Sequence, residues 1–81
     1  DVREIEEVRA NPLPLPSRHV PSSALLSGAA SLPPKGSYLL VCARGVRSRA
    51  LAAELRSRGV ANVYSLQGGA LGLQRADTTL A

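Results

Sequence analysis

Between Tyr38 and Leu66 an unbroken apolar run, a glycine-containing loop, a helical stretch, a glycine and a second apolar run follow one another. This order constrains the fold more than any other feature of the chain. Tyr38-Leu39-Leu40-Val41-Cys42 does not alternate, which is the mark of a strand covered on both faces, as in a parallel sheet. Ser48 to Arg58 is built of strong helix formers and places Leu51, Ala52 and Leu55 on one face. Ser48 is the expected N-cap and Gly59 the expected left-handed residue beyond the helix. Asn62 to Leu66 is the second strand, after which Gly68-Gly69 turns the chain. A strand, crossover helix and strand of this length form a βαβ unit with parallel strands and a right-handed connection.

The first 36 residues read as mostly irregular. Ile5 and Val8 suit a short helical turn within a polar segment that ends at Ala10. Pro12, Pro14 and Pro16, at alternate positions, impose an extended path without a strand ladder. Arg18 to Ala24 continues as loop, Leu25 and Leu26 begin a turn, and Ser27 to Gly36 is a further connection. Residues 74–81 read as a frayed tail, and no internal repeat is present.

A chain of 81 residues is one domain, spanning 1–81. A domain of this size buries only about 60% of the surface its unfolded chain exposes, so modest stability is expected. With no Phe, Trp or Met, the core is a thin one of Leu, Val and Ala. Either a neighbouring domain supports the fold or part of a larger unit lies outside this sequence.

The single cysteine, Cys42, excludes an internal disulfide and Cys-rich zinc sites, and His19 has no second histidine to share a metal with. No apolar run is long enough for a membrane span, and the acidic start lacks the order of a secretory signal. A reduced, cytoplasmic setting is the expectation. The net charge of +4 comes from nine Arg and one Lys against six acidic residues. Arg44, Arg47 and Arg49 crowd around the cysteine, while Tyr38 and Tyr64 are the only aromatics available for base stacking. A site for a small anion fits better than one for nucleic acid.

In a parallel α/β unit the crevice lies where a strand ends and before the next helix begins, and Cys42 stands there. The following loop, Ala43-Arg44-Gly45-Val46-Arg47-Ser48, runs into a helix N-terminus. Successive N–H groups in such a turn form an anion-binding nest, reinforced by the helix dipole. These features favour the thiolate: a free thiol titrates near 8.5, and helix N-termini with basic neighbours lower this to roughly 3.5–7.5. The sulfur is then a nucleophile where an anionic substrate is also attracted. Without that context, Cys42 reads as the buried end of a strand.

The segment YLLVCARGVRSRALAAELRSRGVANVYSLQGG, Tyr38 to Gly69, resembles the catalytic half of rhodanese-like sulfurtransferase domains. The shared pattern is a Cys loop with Arg five residues on, a Ser, a helix, G-x-x-N-V-Y-x-L and a Gly-Gly pair. Asp1-Val2-Arg3-Glu4 resembles the family's DVRE start, and Arg18-His19-Val20-Pro21 its G-H-I-P segment. The resemblance implies a small α/β domain with a parallel sheet. Because the chain starts at the aspartate of DVRE, the first strand and helix of the family pattern are missing from it, and an exposed sheet edge or an ill-packed face is expected.

The resemblance also implies a reaction. Cys42 carries a sulfane sulfur as a persulfide, taken from thiosulfate or a persulfide donor and passed to a thiol or a sulfur-carrier protein. The amides of Ala43, Arg44, Gly45, Val46, Arg47 and Ser48 hold the persulfide anion, Arg47 steadies the loop, and Arg44 faces the incoming anion. No metal or organic cofactor is implied. Modules of this kind are fused to adenylyltransferases of molybdopterin and thiamine biosynthesis. The family's Cys-loop-Arg phosphatase relatives have five residues between Cys and Arg, against four here, so phosphatase activity is not expected. Ala43 replaces a basic residue, Ser22 and Ser23 stand where glycine is common, and Ala70 to Leu73 lacks the usual tryptophan. Asp1, Arg3 and Glu4 read as structural, as does His19. The alternative function is a non-catalytic module that keeps the fold for docking, and Arg49, Arg56 and Arg58 suit either a solvated face or a partner.

Overall fold

The computed structural model describes the backbone of residues 1–80 and the side chains of residues 1–74. In chain order it contains α1 (Ile5–Ala10), α2 (Ser22–Ser27), β1 (Ser37–Leu40), α3 (Val46–Ser57), β2 (Asn62–Ser65) and α4 (Gly69–Leu80). The two strands pair in parallel with Ser37 opposite Asn62 and Leu40 opposite Ser65, and α3 is the crossover between them. This is a small α/β domain.

Helix α3 shows why the βαβ pattern was legible. Its buried residues are Ser48, Leu51, Ala52 and Leu55, one stripe at helical spacing. The helix ends in a Schellman motif: the Val60 N–H donates to Leu55 O and the Gly59 N–H to Arg56 O, with Leu55 and Val60 both buried. Gly59 takes the left-handed conformation expected of it, at φ 101°. Leu51, Ala52 and Leu55 pack with Leu40 and Val63 of the strands, and with Val2, Leu25 and Cys42, into the core.

The N-terminal segment belongs to this core. Val2 is 3% exposed, and its N–H donates to Val41 O while its own carbonyl accepts from the Ser22 N–H. The Arg3 guanidinium makes two bonds to the Asp1 carboxylate, 3.0 and 2.9 Å, and reaches Asn11 O at 2.8 Å, just beyond α1. A ring nitrogen of His19, Nε2, lies 2.7 Å from Arg3 O. Asp1, Arg3 and His19 therefore tie the first turn together.

Three local expectations are corrected. Val41 and Cys42 lie beyond β1, because the ladder ends at the Leu40–Ser65 pair; Leu66 still donates to Leu40 O. Residues 22–27 form a helix where the sequence read loop and turn, stopped at Gly28 in the left-handed conformation. Gly45, not Ser48, is the N-cap of α3, and Ser48 sits inside the first turn. The backbone of α4 runs to Leu80; beyond Gln74 the expected frayed tail lies outside the residues whose side chains are described, and Ala81 outside the described residues altogether.

The sheet has two strands among the described residues. Beside β1 lies an apolar cavity of about 420 Å³ walled by Leu13, Leu15, Val20, Leu32 and Tyr38, among others.

Candidate functional site

Three elements converge on Cys42: the end of β1 supplies it, the first turn of α3 lies over its sulfur, and the start of α4 holds its carbonyl. The Gly45 N–H donates to Cys42 Sγ at 3.1 Å and the Ser48 N–H at 3.3 Å, and the Ser48 Oγ is 3.4 Å from the sulfur. Both amides belong to the cap and first turn of a helix, where N–H groups have no partner within the helix. Gly45 reaches this position at φ 97°, and a Cβ there would stand 3.2 Å from Leu66 O and 3.3 Å from Gly68 N.

The loop is held from behind as well. Ala70 N–H donates to Cys42 O at 2.7 Å and Leu71 N–H to Ala43 O at 3.0 Å, so the first-turn amides of α4 take the loop's carbonyls. With those carbonyls drawn away, the amides are left to face the sulfur.

Burial alone raises the Cys42 pKa. The Ser48 hydroxyl, the amides of Ser48 and Gly45 and that of Arg44 outweigh it and hold the thiol below its ordinary value. The thiolate is thus favoured by hydrogen bonds aimed at the charged form.

Of the loop residues singled out in the sequence, Gly45 and Ser48 hydrogen-bond to the sulfur, and the Arg44 amide helps to lower its pKa. The amides of Ala43, Val46 and Arg47 make no hydrogen bond to it among the described residues. Val46 is 77% exposed. The Arg47 guanidinium turns away from the loop and forms a bidentate pair with Glu7 of α1, at 2.6 and 2.7 Å. It acts on the cysteine as a nearby positive charge, and its own pKa is raised, first by the hydrogen bond it donates to Glu7. Glu7 answers with a pKa lowered to about 2.

The sequence placed Cys42 at the mouth of the domain; the structure corrects this. The residue is 1% exposed, lying beneath the loop with N–H groups turned toward it. On the outer side of the loop an open groove of about 960 Å³ is lined by Arg44, Val46, Arg49, Arg56 and Tyr64, with no acidic residue in its wall among the described residues. Arg56 is engaged with Val63 O, and Arg58, outside the groove, bonds Glu54 and the carbonyls of Leu25 and Leu26. No hydrogen bond or ion pair engages the side chains of Arg44 and Arg49 among the described residues.

Two contributors were not found from sequence. Ser65, on β2, places its Oγ 2.6 Å from Ser48 Oγ. Gly69, at φ 60°, presses so closely on the loop that a Cβ would collide with Cys42 O. The Gly68-Gly69 pair was the available signal for the second; a lone serine at a strand end offers none for the first.

Comparison with known proteins agrees with this architecture. A chain 38% identical over 66 residues, 78% of this chain, is the tRNA sulfurtransferase of Aeromonas hydrophila subsp. hydrophila. The present chain spans 14% of that relative's length. Among solved structures, a rhodanese homologue from the extremely thermophilic bacterium Thermus thermophilus superposes with a TM-score of 0.67 at 34% identity. That match covers 84% of this chain and 72% of the other. The sequence profile of the Rhodanese-like domain matches residues 1–76, nearly the whole chain: the protein belongs to the rhodanese-like domain family.

Proposed function

We infer that the domain is a sulfurtransferase in which Cys42 carries the sulfur as a persulfide. The observation that carries this reading is the set of donors on one sulfur: two amides at 3.1 and 3.3 Å and a hydroxyl at 3.4 Å. Such a set favours the thiolate over the thiol, because both amides can only donate to the sulfur and the hydroxyl can turn to donate as well. The thiolate attacks the outer sulfur of thiosulfate, the S–S bond of the donor breaks, and sulfite leaves with its electron pair. The resulting Cys42–S–S⁻ gives its terminal sulfur to an acceptor thiolate, and Cys42 returns as a thiolate. No cofactor takes part in either step.

The groove wall supports an anionic donor, since Arg44 and Arg49 line it with no acidic partner among the described residues. Because Cys42 is 1% exposed, a donor reaches the sulfur only after its cover opens locally. The acceptor in this reading is a thiol or a sulfur-carrier protein, of the kind used in molybdopterin or thiamine biosynthesis in a cytoplasmic setting. The relative named as a tRNA sulfurtransferase supports a second route, in which the sulfur goes on to tRNA.

The test is mass spectrometry of the intact chain after thiosulfate. One added sulfur atom is expected, absent in Cys42→Ser and removed by cyanide or dithiothreitol. Iodoacetamide alkylation across pH 5 to 9 reports the thiol directly, with half-maximal rate expected below the ordinary value near 8.5. No adduct together with an ordinary thiol titration would instead mark a docking module.

A further inference from the structure

A short hydrogen bond beside Cys42 does not touch the sulfur. It joins Ser48 Oγ to Ser65 Oγ at 2.6 Å, linking the first turn of α3 to the end of β2. Ser48 is fully buried, and its hydroxyl has one proton for three acceptors: Cys42 Sγ at 3.4 Å, Gly45 O at 3.3 Å and Ser65 Oγ. Ser65 Oγ has one proton for two acceptors, Ser48 Oγ and Gly45 O at 3.4 Å.

These distances admit two consistent proton arrangements. When the sulfur is a thiol, its S–H donates to Ser48 Oγ, Ser48 donates to Ser65 Oγ, and Ser65 donates to Gly45 O. When the thiol proton has gone to solvent, Ser48 turns its O–H to the sulfur. Its oxygen then accepts from Ser65, whose O–H has swung from Gly45 O to Ser48 Oγ. Each donor keeps an acceptor in both states, so the sulfur changes charge with no hydroxyl left unpaired. Chains of this kind polarise one another.

We propose that Ser65 is a positioning residue for the sulfur-transfer chemistry: by donating to Ser48 Oγ it directs the Ser48 proton onto the Cys42 thiolate. Without Ser65, the Ser48 proton is divided between the sulfur and Gly45 O, and the anion loses part of its third donor. The inference rests on Cys42 as the nucleophile. Among the described residues the charged side chains around the loop are Arg44, Arg49 and Arg56 along the groove, Arg47 and, behind Arg47, Glu7 and Glu4. All remain in the variants below, so a difference between them isolates the hydroxyl.

The test is the alkylation pH profile of Cys42 in Ser65→Ala, Ser65→Val and Ser65→Thr. Valine and threonine have the same shape and differ in the hydroxyl, so that pair decides the matter if alanine perturbs the fold. Loss of the hydroxyl is expected to raise the Cys42 midpoint by about 0.5–1 pH unit, the size of one neutral hydrogen bond, with threonine close to wild type. In a Ser48→Ala background, Ser65→Ala should add no further shift. Equal midpoints for valine, threonine and wild type, or additive shifts in the double variant, overturn the relay. A wild-type midpoint at the ordinary thiol value overturns the nucleophile reading itself, whatever the Ser65 variants do.

Discussion

Gly69 lies against the carbonyl of Cys42 so closely that any side chain there would strike Cys42 O and come within 2.7 Å of the Ala43 carbonyl. The contact is backbone on backbone, between the first residue of α4 and the residue bearing the sulfur. It allows Ala70 and Leu71 to bond the carbonyls of Cys42 and Ala43. The orientation of the loop's amides toward the sulfur depends on this approach.

Gly69→Ala should therefore be among the most damaging single changes. It adds a Cβ at φ 60° and against atoms that cannot rotate away. Left-handed strain and overpacking together should cost about 2–4 kcal/mol, read as a lower urea midpoint. Sulfur loading should fall further than the unfolded fraction accounts for, because α4 withdraws from the loop.

Arg3→Ala tests the N-terminal anchor. The Arg3 and Asp1 side chains are each 2% exposed, and removing the guanidinium leaves the Asp1 carboxylate with only the residue-3 amide, at 3.2 Å, and takes the guanidinium donor from the Asn11 carbonyl. Breaking a buried pair costs about 3–5 kcal/mol, a large part of what a domain this small possesses. Circular dichroism during heating should show a much lower Tm or no cooperative transition. A loss below about 1 kcal/mol would mean that water reaches the pair.

The Glu7–Arg47 pair predicts a pH dependence. The Glu7 pKa falls from 4.5 to about 2 on folding. A depressed carboxylate adds stability above its unfolded pKa, and that contribution is lost as pH drops from about 4.5 through about 2. With side chains 44% and 35% exposed, water screens the pair and it contributes no more than about 1 kcal/mol. Urea midpoints from pH 6 to 2.5 should fall less steeply in Glu7→Gln than in wild type. Parallel curves would remove Glu7 from the account.

Arg49→Glu tests the groove. Among the described residues Arg49 makes no hydrogen bond or ion pair, and it lines the groove with Arg44. Reversal of its charge should slow loading by thiosulfate by about two- to tenfold at low salt, and the difference should shrink as ionic strength rises. Alkylation by neutral iodoacetamide should stay close to wild type. An unchanged thiosulfate rate at low salt would place donor entry elsewhere.

The local pattern of the second half was readable because it depends on neighbours in the chain. The 48, 51, 52, 55 stripe, the Gly59 stop and the position of Cys42 between strand and helix follow from periodicity and backbone preference over a few residues. Helix α2 escaped notice because it is six residues long and half serine, with no propensity or periodicity to announce it. Ser48 was taken for a cap because it opens the run of helix formers, yet Gly45 can start the helix three residues earlier.

What the amino-acid order determined by itself is the βαβ unit and a lone cysteine set before a helix N-terminus. Only the folded chain decided which groups meet the sulfur. Glu7 and Arg47 are 40 residues apart and Ser48 and Ser65 are 17 apart, and Gly69 reaches Cys42 from the far end of the unit. Such pairings arise when the strands close in register and α4 docks, so no local preference encodes them. The same closure covers Cys42 beneath its loop, making its accessibility a property of the tertiary packing.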